Sequence, residues 1–190
     1  MVPVKYLQVI FGRKAGELAT LLLVALLFYL FVCRGMRFFE VPSGSMEPTL
    51  LPMDRLITLD ERTYGRGDVV VLRDPQDKQG YIVKRIVAVG GDTVSVSGGA
   101  LHVNGKYVSE PYINDPPQYY VSPVRVPEGE VFLLGDNRNN SDDSHGSPEQ
   151  GHPVESIIGR VRFIYYPYSR FGSVKRYRPL MISMIQPVGT

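Results

Sequence analysis

The chain has 190 residues, 44% apolar and 21% charged, with 21 basic side chains against 19 acidic ones. These proportions are those of a globular protein, which excludes disordered and collagen-like classes, and the balance of charge excludes a nucleic-acid binder that relies on bulk positive charge. The single cysteine, Cys33, cannot form an intrachain disulfide, and with only three histidines beside it a structural zinc set is not expected.

Residues 1–17 hold Lys5, Arg13 and Lys14 against Glu17. Leu18 to Cys33 then run sixteen residues without a charge. Eleven of these are Leu, Phe or Val, and together they favour bilayer insertion by roughly 3–7 kcal/mol. The run has no polar face, so it does not read as a surface helix. A cleaved leader needs small residues after the apolar run, and Cys33-Arg34-Gly35-Met36-Arg37 offers none. Val32 stands where a lipoprotein signal wants a small residue. The reading is a retained anchor over 15–36, with Arg34 snorkelling. The three N-terminal cations place residues 1–14 on the cytoplasmic side.

Beyond Phe39 no 3.6-residue apolar period appears. Short β-branched runs alternate with turn formers. Strands are predicted over 68–72, 80–89, 93–97, 100–103, 106–108, 130–134 and 159–166. Asn104-Gly105 lies between two of them, and both residues accept the positive φ of a tight hairpin turn. Residues 110–128, rich in Pro and Tyr, read as a loop or extended arm. The result is a mainly antiparallel β domain behind one helix.

Three segments carry chemistry. In Val41-Pro42-Ser43-Gly44-Ser45-Met46-Glu47-Pro48-Thr49-Leu50, two prolines and a glycine impose an irregular backbone that can present Ser45 at a turn; alone, Ser-Gly-Ser is also a linker pattern. In Tyr81–Val89, alternation puts Lys84 on one face with Ile82, Ile86 and Ala88, all apolar. Such a lysine must snorkel, pair or lose its charge, unless it simply guards an edge strand. Gly135–Gly146 is a dense turn segment whose Asp136, Arg138 and Asp143 suit a buried ion network better than a calcium loop, since EF-hand spacing is absent.

Five stretches carry a resemblance: 42–50 (PSGSMEPTL), 66–72 (RGDVVVL), 84–92 (KRIVAVGGD), 103–112 (VNGKYVSEPY) and 135–146 (GDNRNNSDDSHG). In this order after one anchor, they resemble the bacterial type I signal peptidases, membrane-anchored serine proteases that remove signal peptides from exported proteins. The resemblance implies Ser45 as nucleophile, Lys84 as general base, and Ser43 with the Ser45 amide as oxyanion hole. It implies Ser141 and Asp143 as residues that order the lysine, and Asp136 with Arg138 as a structural pair beneath the site. Phe39, Val41, Pro42, Met46, Leu50, Ile82 and Val83 would wall small substrate pockets. The chain departs from the family at His145, where many members carry arginine.

The fold implied is a signal-peptidase-type antiparallel β domain behind a single transmembrane helix. Residues 37–178 form the extracytoplasmic protease, 98–128 a small hairpin or arm insertion, and 179–190 a tail. No cofactor and no metal are implied. Implied partners are the signal peptides of secretory preproteins, membrane lipid and the secretion translocase, with no nucleic acid; the place is the cell membrane, single-pass. The chemistry requires a lysine lowered by roughly 2–3 units from its usual value near 10.4, cleavage after Ala-x-Ala-like sites, and no essential histidine. Residues 157–178 combine six basic and six aromatic side chains with no acid, which reads as a solvated face or a lipid platform. Three rivals are weighed. A Ser-His-Asp hydrolase lacks its Gly-x-Ser-x-Gly elbow here. An anchored adaptor module would need no nucleophile. A self-cleaving repressor-type Ser/Lys protease would want a DNA-binding domain.

Overall fold

The structure is a computed structural model; it describes residues 4–33, 35–74, 77, 80–141, 143–144, 151–177 and 181–182, and within the N-terminal helix the side chains of Lys14 and residues 16–30. The chain divides into two compact units, 1–36 and 37–190.

The first unit is α1, Val4–Cys33. It continues through the polar residues assigned to a separate N-terminal segment, because nothing from Val4 to Glu17 breaks a helix. Its large apolar side chains from Leu18 to Leu30 are exposed all round. Among the described residues no helix is long and apolar enough to cross a membrane; the described apolar run reaches only about 20 Å.

Among the described residues thirteen strands follow α1: β1 (Met36–Glu40), β2 (Arg55–Leu59), β3 (Val69–Arg73), β4 (Tyr81–Val89), β5 (Thr93–Ser97), β6 (Ala100–Val103), β7 (Lys106–Val108), β8 (Val121–Arg125), β9 (Glu130–Leu134), β10 (His152–Pro153), β11 (Ile157–Tyr166), β12 (Gly172–Ser173) and β13 (Met181–Ile182). They form two sheets. The first runs β1-β2-β11-β3-β4-β9-β10 with β12 on β11, and the second runs β13-β7-β6-β5-β8. The pairs within each, such as β3–β4, β4–β9 and β5–β6, are antiparallel. The mainly antiparallel β class is therefore what the chain adopts.

β3 explains its own sequence. Val69 and Val71 enter one apolar cluster while Val70 and Leu72 enter another. A strand buried on both faces reads as an unbroken apolar run. Asn104 and Gly105, at φ 53° and 72°, make the expected hairpin turn between β6 and β7.

The second sheet takes in residues before the expected insertion, within it and from the expected tail. The second sheet begins at Thr93 rather than at 98, it recruits Val121–Arg125 from the supposed loop, and Met181–Ile182 of the supposed tail pairs with β7. β8 carries Pro123 and exposed neighbours, so it has no apolar alternation to betray it. β1 and β2 were also unforeseen; β1, Met-Arg-Phe-Phe-Glu, is short and mostly exposed, with no clean alternation to announce a strand.

The two sheets are locked by Asp92. Arg66 Nε donates to its carboxylate at 2.7 Å, the Val89 N–H at 2.9 Å and Asn104 Nδ2 at 2.9 Å. Burial alone would raise this carboxyl; the bonds from Arg66, the Val89 N–H and Asn104 outweigh it and hold the group below the ordinary carboxylate range. A depressed folded value contributes stability above the unfolded value near 4, and the contribution is lost as pH falls through the folded value. Asp92→Asn should lower the melting temperature at pH 7, and the gap from the parent should close in scans taken below about pH 4. A gap of equal size at pH 7 and pH 3 would refute the linkage.

Candidate active site

One segment, 41–54, and one loop, 135–144, meet over the middle of the first sheet. Ser43 is extended (φ −148°, ψ 169°), and Gly44–Met46 then makes one turn of 3-10 helix. Met46 and Leu50, wholly buried, are pegs in the apolar cluster that also holds Val41 and Val83. Burying Met46 in the core turns its neighbour Ser45 toward the surface of a cleft. The Ser43 hydroxyl lies 3.3 Å from the Ser45 hydroxyl.

The cleft has a volume of about 570 Å³. Ser43, Ser45, Lys84, Ser141 and Asp143 all line it. Lys84 comes from the centre of β4 and is 5% exposed. Its Nζ lies 2.7 Å from Asp143 Oδ1 and donates to Ser141 Oγ. Ser141 Oγ donates in turn to Asp143 Oδ1, and Asp143 Oδ2 accepts the Gly135 N–H at 2.9 Å. Buried ammonium and carboxylate groups are tolerable only when paired in this way.

The surround of Lys84 is therefore not the wholly apolar face expected. Ile82, Ile86 and Leu133 supply apolar neighbours in one cluster. A register irregularity between Ile86 and Ala88 moves Ala88 into a different cluster, against the second sheet. Serine and carboxylate oxygens fill the remaining directions about Nζ.

Asp136 and Arg138 do not pair with each other. Asp136 takes a bidentate contact from Arg85, Nε at 2.8 Å and Nη2 at 2.6 Å. Arg138 pairs with Glu110, Nη1 to Oε2 at 2.6 Å. Arg85 also lies over the Tyr112 ring at 4.0 Å. Asp136 is still beneath the serine segment, since Thr49 Oγ1 donates to its Oδ2 at 2.5 Å.

Of the seven residues expected to wall substrate pockets, Val41, Pro42, Met46, Ile82 and Val83 line the cleft. Phe39 and Leu50 do not. Phe39 packs edge-on to Tyr81 at 4.8 Å, and Leu50 is sealed in the core. Asp74 and His152 also line the cleft and were not singled out. His145 lies outside the described residues.

Two further residues shape the site. Asn137 grips the serine turn twice, through its N–H to the Ser45 carbonyl at 3.0 Å and its Nδ2 to the Gly44 carbonyl at 3.1 Å. Gly135 has to lack a side chain, because a Cβ there would sit 2.3 Å from Ser141 Oγ and 2.4 Å from the Ser45 carbonyl oxygen. Gly135→Ala should therefore cost about 1–3 kcal/mol in chemical denaturation, the range for overpacking a tight contact. A variant as stable as the parent would show that the approach is looser than described.

The comparisons with known proteins bear on this arrangement. A family model described as signal peptidase, peptidase S26, matches residues 15–166. A probable signal peptidase I-1 from Synechocystis is 41% identical over 172 residues, covering 81% of this chain and 84% of its own. A second from the same organism, a probable signal peptidase I-2, is 42% identical over 144 residues, covering 70% of this chain and 64% of its own. Among solved structures, a signal peptidase I from Enterococcus faecalis V583 matches with a TM-score of 0.43 at 28% identity, covering 53% of this chain and 98% of that one. With the family model spanning the serine segment, the lysine strand and the 135–144 loop together, the chain belongs to the signal peptidase family, peptidase S26.

Proposed function

We propose that the protein is a membrane-bound signal peptidase I that cuts preproteins after Ala-x-Ala-like sites, with Ser45 as nucleophile and Lys84 as general base. The observation that carries this reading is the meeting of Ser43, Ser45, Lys84, Ser141 and Asp143 around one cleft.

Ser141 Oγ and Asp143 Oδ1 hold Lys84 Nζ at the cleft that Ser45 also lines. To act as base, Lys84 must meet the Ser45 hydroxyl as a neutral amine with its lone pair free. Ser45 Oγ then bonds to the scissile carbonyl carbon while its proton passes to Lys84. The Ser43 hydroxyl, already within 3.3 Å of Ser45 Oγ, joins the Ser45 N–H in donating to the oxyanion. The lysine ammonium returns a proton to the leaving amine as the C–N bond breaks. Water hydrolyses the acyl-serine by the same route, with Lys84 again accepting the proton.

The wall formed by Val41, Pro42, Met46, Ile82 and Val83 is apolar. A small side chain at P1 and P3 buries itself there without leaving a polar group unpaired. The membrane reading rests on α1, whose apolar side chains are exposed all round, and on the sixteen-residue uncharged run in the sequence. Lys5, Arg13 and Lys14 favour a cytoplasmic N-terminus and an extracytoplasmic second unit. Exposed Phe38, Phe163, Tyr166, Tyr168 and Phe171 favour lipid as a partner of the second unit.

The test is cleavage of a preprotein by the detergent-solubilised full chain, with the new N-terminus sequenced. Ser45→Ala and Lys84→Met should each remove nearly all activity in folded protein, and the double variant should be no worse than either. Lys84→Arg should fail as well, since arginine keeps its proton. Ser43→Ala should lose on the order of 10²-fold, one oxyanion donor's share. Alanine at His102, His145 and His152 together should leave the chemistry intact. A folded Lys84→Met enzyme that cleaves at the parent rate would refute the Ser/Lys assignment, and efficient cutting after Phe or Arg at P1 would refute the pocket assignment.

A further inference from the structure

We infer that Arg170 is a positioning residue for the catalytic turn, acting through Asp54 and the Thr49–Leu50 peptide; this rests on Ser45 being the nucleophile as proposed above. Arg170 closes a 3-10 turn, Tyr168–Arg170, that follows β11. Its side chain is 29% exposed, but its guanidinium turns to the serine segment. Nε donates to both oxygens of Asp54, at 3.0 Å and 3.1 Å, and Nη2 donates to the Thr49 carbonyl at 3.1 Å.

Both acceptors belong to the segment that carries Ser45. Asp54 is 1% exposed. Its Oδ2 accepts the Leu51 N–H at 2.9 Å, and its backbone carbonyl accepts the Val41 N–H at 2.8 Å. The Thr49 carbonyl and the Leu50 N–H belong to one planar peptide group. That Leu50 N–H donates to the Met46 carbonyl at 2.9 Å. Arg170 therefore holds one end of a rigid unit whose other end holds the residue directly after Ser45. Rotation of that peptide plane would break one bond or the other, so the guanidinium fixes where the turn sits over the cleft. A lysine offers a point charge instead of a planar fork and cannot serve both acceptors in this geometry.

An ordinary stabilising ion pair would lower stability when broken and would leave the turnover of the folded enzyme alone. A positioning residue lowers kcat in the folded fraction. The experiment compares full-length parent, Arg170→Gln, Arg170→Lys and Ser45→Ala in detergent, by steady-state preprotein cleavage and by amide hydrogen exchange. For Arg170→Gln, kcat per folded molecule should fall by tens-fold to about 10²-fold, the cost of a catalytic group displaced by about 1 Å, with KM within about twofold. Amides of 44–51 should exchange faster while those of β3 and β4 keep their protection. Arg170→Lys should fall between, and it carries the same comparison should Arg170→Gln fail to fold.

Unchanged exchange over 44–51 would overturn the inference, as would a kcat that merely tracks the folded fraction. If Ser45→Ala still cleaves, the nucleophile assignment falls, and the exchange measurement alone then decides whether Arg170 holds the turn.

Discussion

The serine segment 41–54 has no strand ladder to fix it, and the site depends on how it is held. A backbone this irregular must satisfy its N–H and carbonyl groups one by one. Asn137 takes the carbonyls of Gly44 and Ser45. Asp54 takes the Leu51 N–H, and Asp136 takes the Thr49 hydroxyl. Met46 and Leu50 plug into the core beneath. Polar bonds thus set the height of the turn and apolar pegs set its position, so neither could be removed without moving Ser43 and Ser45.

The second constraint is the Lys84–Arg85 pair on β4. Neighbours on a strand face opposite sides, so two adjacent cations in a buried strand require two separate anions. One loop supplies both. Asp143 meets Lys84 and Asp136 meets Arg85. The two pairs differ in kind. Arg85 is gripped bidentately, stacked on Tyr112 and wholly buried, which suits a fixed structural charge. Lys84 lies at a cleft and donates to a serine that lines it as well. Adjacent residues of one sign therefore take up different environments because one loop brings Asp136 to Arg85 and Asp143 to Lys84.

The parts legible from sequence were those with local causes. β3, β4 and the Asn104-Gly105 hairpin follow from apolar runs and turn chemistry. Ser45 and Lys84 stood out only when five motifs were taken together, since each segment alone had a bland reading. What escaped had non-local causes. Asp54 and Arg170 are 116 positions apart, and nothing in either neighbourhood marks a partner. The resemblance implied Asp136 with Arg138 as a structural pair, yet from i and i+2 in a turn their side chains reach Arg85 and Glu110. The apolar face of Lys84 was inferred from strict alternation, which the irregularity beyond Ile86 interrupts.

The segment after Ser156 shows how composition can mislead about a surface. Its arginines read as a basic, solvent-facing set because no acid lies nearby in sequence. In the fold the acids come from elsewhere. Arg160 meets Asp68 and Glu61, Arg176 meets Asp68, and Arg170 meets Asp54. Exposed beside them are the rings of Phe163, Tyr166, Tyr168 and Phe171, with Phe38 of β1 edge-on to Tyr165 at 5.6 Å. Attraction by unpaired surface cations is screened within about 10 Å at ordinary ionic strength, whereas burial of rings is not screened at all. Arg160 is spent inside and Arg170 turns to Asp54, on the segment that carries Ser45, whereas Arg162 and Arg176 keep much of their surface and Lys175 is exposed beside the rings.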